Sequence, residues 1–111
     1  VSIPAPEHLR YAARADALVK TIEVAAGTHM LNQQQVAIAS GELNRYHAEI
    51  ATVMNEVGND PRLFSLKYGR VLGNFDSLKT FNAFASLQDS LKHIDLAMKR
   101  IAIIWDKVQP Q

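Results

Sequence analysis

The chain has 111 residues, of which 48% are hydrophobic and 21% charged, and a formal net charge of +1. This composition describes one domain with a modest core, too apolar for a disordered chain and too nearly neutral for a nucleic-acid binder, which needs a concentrated basic face. The absence of cysteine excludes disulfides, thiol chemistry and cysteine-based zinc sites, and no apolar run approaches the roughly 20 residues that span a bilayer.

The first residues, Val-Ser-Ile-Pro-Ala-Pro, lack an initiating Met. The expectation is that the start was removed, by processing or by design, in a piece that leaves room for a signal or an anchor. Pro4 and Pro6 predict an extended segment over residues 1–6, because proline fixes its own φ and disfavours helix in the residue before it. From Glu7 the pattern is helical. Tyr11, Ala15, Leu18, Ile22, Ala25, His29, Asn32, Val36, Ala39, Leu43, Tyr46, Ile50, Val53 and Val57 alternate spacings of four and three. Such a heptad seam marks helices packed side by side at a shallow angle. Gly27 and Gly41 interrupt the run, each costing about 1 kcal/mol in a helix interior. Because the seam keeps its phase across both, it predicts one long helix of roughly 70–75 Å. The competing arrangement is a hairpin near Gly27–Gln35.

Gly58-Asn59-Asp60-Pro61 then ends the seam. Pro61, favoured in a first turn, predicts a short second helix carrying Leu63, Leu66, Val71 and Leu72 to a stop at Gly73-Asn74. A further helix is predicted from Asn82, with Phe84, Leu87, Leu91, Ile94, Met98, Ile101, Trp105 and Val108 as its seam and Pro110 as its end. The fold class is therefore all-α. The expected architecture is an elongated antiparallel three-helix bundle over residues 7–108 with one long N-terminal helix, or a four-helix bundle if the hairpin forms; residues 109–111 are a tail.

The stretch from Val71 to Asp106 resembles a segment of the LemA-like bacterial proteins. In register and without a gap it offers Val71, Phe75, Leu78, Lys79, Phe84, Leu87, Gln88, Leu91, Asp95, Met98 and Trp105-Asp106. Upstream, Arg14, Ala15, Asp16, Glu23 and Gly27 match a second block of that family. Val19-Lys20 departs from the family's Pro-Asn pair, Asp76 from its proline and Ala102 from its late arginine. The amphipathic stretch and membrane helix that precede the second block in the family are missing. The resemblance implies a bacterial, membrane-associated helical module on the extracytoplasmic face or in the periplasm, brought near the membrane by a missing N-terminal segment.

Chemistry is hard to find in these residues. His47 sits in His-Ala-Glu-Ile-Ala, which lacks the second histidine of the zinc-protease helix motif, and Asp89 with His93 makes an ordinary pair four residues apart. No Gly-rich phosphate loop or set of nucleophile, base and orienter is present. No enzyme activity, cofactor or metal is expected. Lys67, Arg70 and Lys79, and separately Lys99, Arg100 and Lys107, form small basic groups of the kind that solvated helix faces carry, with a phosphate or lipid-headgroup patch as the rarer alternative.

A long seam opposite two shorter helices should leave apolar surface uncovered, and such surface is an interaction site. Tyr11, Ala15, Leu18 and Ile22 are the residues expected there, for a protein partner or a second copy. His29 and Asn32 put polar groups into the seam; with Tyr46 they are the candidates for an apolar ligand or a metal held between helices.

Overall fold

The computed structural model describes residues 6–73 and 76–108. They form a 3-10 turn over Pro6–Arg10 and four α-helices: α1 (Tyr11–Gly27), α2 (Gln33–Glu56), α3 (Pro61–Gly73) and α4 (Ser77–Val108). No strand occurs among the described residues. The all-α bundle is as expected, but of its two arrangements the chain adopts the hairpin.

The long helix is broken between Gly27 and Gln33 by residues suited to the task. Thr28 closes α1, its hydroxyl donating to the Val24 and Ala25 carbonyls at 3.1 and 3.2 Å. His29 takes a left-handed φ of 60°, and the Met30 amide reaches back to the Ala25 carbonyl at 2.8 Å. This six-to-one closure satisfies carbonyls that would otherwise be orphaned at the helix end. Asn32 then opens α2 with a capping box: its side chain accepts from the Gln35 amide at 2.9 Å, and the Gln35 side chain accepts from the Asn32 amide at 2.9 Å. The two polar members of the apparent seam, His29 and Asn32, are thus turn and cap residues.

The direction of each helix follows from its pairings. Tyr11 stacks on Tyr46 with ring centroids 4.1 Å apart, while Ile22 and Ala25 share a groove with Gln35 and Ala39, so α1 and α2 are antiparallel. Asp16 meets His93 and Glu23 meets Arg100, both at a separation of 77 residues, so α1 runs parallel to α4. Phe64 packs edge-on against Phe84 at 5.2 Å and Gly69 lies against Thr80, so α3 is antiparallel to α4. Between α2 and α3 the chain turns through Gly58 and Asn59, both left-handed with φ of 59° and 55°. Asp60 accepts from the Arg62 amide at 2.8 Å, and Pro61 occupies the first turn of α3.

The result is a rod of 54 × 19 × 18 Å. Helix α4, about 48 Å long at 1.5 Å per residue, is the spine. Its C-terminal half is sandwiched between α1 and α2, and its N-terminal part pairs with α3. The core runs along the spine: Tyr11, Ala15, Ile22, Leu43, Ile50, Val53, Leu87, Ile94 and Ile101 are buried in the three-helix part, and Phe64, Tyr68 and Phe84 where α3 joins. Helix α4 starts at Ser77, earlier than the expected Asn82, because the Asp76 side chain caps the Leu78 and Lys79 amides. Of its expected seam, Phe84, Leu87, Ile94 and Ile101 are buried, whereas Val108 is exposed. The expected stop of α3 at Gly73-Asn74 holds for Gly73; Asn74, and with it Phe75, lies outside the described residues.

Candidate functional site

The residues expected to form an uncovered seam are core residues. Tyr11, Ala15 and Ile22 are at most 2% exposed, and Leu18 is half-buried against them. The break after Gly27 folds α2 back over this face while α4 covers the other side. The expectation of an uncovered seam is corrected for Tyr11, Ala15 and Ile22, which are core, while Leu18 keeps an edge on a small groove between α1 and α2.

His29, Asn32 and Tyr46 are not brought together. His29 and Asn32 are exposed in the α1–α2 connection, each with the local role described above. Tyr46 lies four turns along α2 from Asn32, about 20 Å away at 1.5 Å per residue. Among the described residues, no three His, Asp or Glu side chains converge as a metal site would require.

What Tyr46 does join is a polar hub at the junction of the 3-10 turn, α1 and α2. Glu49 accepts a hydrogen bond from the Tyr11 hydroxyl and one from Arg45 Nη1 at 3.2 Å, and faces His8 Nε2 at 3.3 Å. The Tyr11 hydroxyl, ahead of the charges of Arg45 and His8, holds the Glu49 carboxyl below its ordinary value. Arg45 also pairs with Glu42 at 2.9 Å and lies over the Tyr46 ring at 5.0 Å. Burial pushes the Tyr46 hydroxyl up, and its hydrogen bond to Glu42 adds to the effect. Donors crowd Glu49 from three elements, so it acts as a tie between helices rather than as a poised base.

A second hub ties α3 to α2. Glu56 accepts from the Tyr68 hydroxyl at 2.7 Å and from Lys67 Nζ at 2.9 Å, which keeps its carboxyl low. Burial, then the Glu56 hydrogen bond, raises Tyr68 to about 12. His93 bridges Asp89 at 3.2 Å, the pair expected from their spacing, and Asp16 of α1 at 3.4 Å.

Large apolar side chains stand in water at several places, among them Val24, Met30, Ile38, Leu96 and Ile103, but at the α3/α4 end they share a groove. Leu66, Leu78 and Phe81 are 84%, 67% and 56% exposed, and with Pro61, Arg62, Ser65 and Ser77 they line a shallow groove of about 850 Å³. Leu63 and Val71, on other faces of α3, are also exposed. Of Leu63, Leu66, Val71 and Leu72, the apolar residues expected along α3, Leu72 packs on the core while the other three are exposed; the fully buried residues are Phe64 and Tyr68, four apart. The available signal was surplus: α3 has more large apolar side chains than one buried face can take. In α4, Leu78 and Phe81 are likewise out of phase with Thr80, Ala83, Phe84 and Leu87, the buried face. Large apolar groups held in water on a well-formed two-helix layer cost free energy that no internal contact offsets, which makes the layer the candidate contact surface.

Comparisons with protein-family models, with curated proteins and with solved structures find no match to this chain. Among the described residues no helix is long and apolar enough to cross a membrane.

Proposed function

We propose that this chain is a non-enzymatic helical interaction module whose working surface is the apolar groove between α3 and α4. One observation carries the reading: Leu66, Leu78 and Phe81 stand out of phase with the buried stripes of their own helices and share one exposed groove. The α1–α2–α4 part is the scaffold, closed by its core and by the Glu49 hub. The LemA-like residue matches in α1 and α4 support the same kind of role, a module stationed at the extracytoplasmic face of a bacterial membrane. In the absence of its natural contact, such a groove pairs weakly with that of a second copy.

The test compares the protein with its Leu66→Asp/Phe81→Asp variant by light scattering over a range of concentrations and by brightening of an environment-sensitive apolar dye. Concentration-dependent association and dye binding in the parent, both lost in the variant at unchanged helicity, are expected. A parent that binds no dye and shows the same monomer mass as the variant throughout would refute the reading.

A further inference from the structure

The groove's surroundings are as distinctive as its lining. Residues 61–87, which make α3 and the part of α4 it packs on, hold four of the twelve Lys and Arg residues but only one of the eleven acids. The four are Arg62, Lys67, Arg70 and Lys79, and the acid is Asp76. Asp76 spends its side chain capping the start of α4, and Lys67 is paired with the Glu56 carboxylate of α2. Arg62 lines the groove itself, and among the described residues neither it nor Lys79 forms an ion pair. Two further acids border this end: Glu56, held in the Lys67 pair, and Asp60, which accepts from the Arg62 amide at the start of α3. The groove thus carries one cation outside any ion pair, Arg62, in its lining and a second, Lys79, next to Leu78 in the chain; Val24, Met30, Ile38, Leu96 and Ile103 are exposed elsewhere on the rod.

Resting on the reading of the α3/α4 groove as the working surface, we infer that its partner is an anionic lipid interface. Protruding Leu and Phe side chains beside unpaired cations are the chemistry of a surface that seats in the headgroup region, with apolar groups below the phosphates and cations level with them. Leu66, Leu78 and Phe81 project into solvent rather than lining a deep slot, which suits a deformable apolar medium better than a rigid complementary knob. Attraction between the phosphates and these cations seats the molecule on its α3/α4 end. The contact needs no membrane-spanning segment, and its strength falls with salt as the phosphates are screened.

The probe is co-sedimentation with vesicles of phosphatidylcholine alone or mixed with phosphatidylglycerol, at low and high salt. Variants are Arg62→Gln/Lys79→Gln, at exposed positions that leave the apolar groove in place, and Leu78→Asp/Phe81→Asp, with helicity checked for each. Expected are binding to the anionic vesicles only, weakening with salt, a loss of roughly thirtyfold for the charge variant, and no detectable binding for the apolar variant. Equal binding to neutral and anionic vesicles, or no loss in the charge variant, would overturn the inference. So would absence of vesicle binding by the folded parent. If the dye and self-association results stood in that last case, the groove would remain the working surface with a second copy as its occupant; if they failed too, the reading beneath would fall.

Discussion

Replacing Glu49 by Gln tests the hub that joins the 3-10 turn, α1 and α2. The carboxylate takes the hydroxyl of Tyr11, a residue 1% exposed, together with Arg45 and His8. Arg45 is about half exposed, so its share is a few tenths of a kcal/mol at most. The Tyr11 bond is different: a hydrogen bond to a charged acceptor contributes about 1.5–3 kcal/mol when shielded, and the 34% exposure of the Glu49 side chain reduces this to about 1–2 kcal/mol. Glutamine keeps an acceptor oxygen but loses the charge, so the loss should be about 1 kcal/mol at neutral pH. The sign with pH is fixed. The folded-state carboxyl of Glu49 lies below the unfolded value of 4.5, so its stabilisation is complete above that value and disappears as pH falls through the depressed folded-state value. Urea melts followed by far-UV circular dichroism should show the parent ahead of the variant at neutral pH, with the gap closing below about pH 4. Tyr11→Phe, which preserves the stack on Tyr46, should be non-additive with Glu49→Gln. A gap independent of pH, or full additivity of the two substitutions, would refute the assignment of charge and partner.

Gly41 sits inside α2, exposed, with nothing within 4 Å of where a Cβ would stand. Gly41→Ala should therefore raise stability by about 1 kcal/mol in the same urea assay, and any destabilisation would contradict a continuous α2 through this position. Glu56→Ala removes both the hydrogen bond and the charge that help raise Tyr68 but leaves the first cause, burial; ultraviolet titration should find Tyr68 ionising below about 12 but still above its ordinary 10.

The sequence was legible where one element's local chemistry and its packing agree. Pro61 and Gly73 bound α3 as read, and the three-four spacing from Phe84 to Ile101 does mark the buried face of α4. The break after Gly27 was misread because periodicity and capping disagree there. A short turn can return the chain in register, so an unbroken phase cannot distinguish a continuous helix from a hairpin, whereas Asn32 and Gln35 carried a capping box that could. That error moved the expected contact surface to Tyr11, Ala15, Leu18 and Ile22, the face α2 folds over. The groove at Leu66, Leu78 and Phe81 was hidden for another reason. Exposure depends on how many neighbours each stretch of α4 has, and a stretch with one neighbour reads in sequence like a stretch with two.

Because α4 supplies one wall of every part of the core, none of the other helices has a complete place to bury its apolar face until α4 is present. During synthesis, α1, α2 and α3 leave the ribosome before it. The hairpin of α1 and α2 can form early, held by the Tyr11–Tyr46 stack, but Ile94 and Ile101 arrive only with the last part of the spine. Cooperative folding of this module is consequently an event that follows translation of α4, and until then its apolar stripes stay in water rather than in a core.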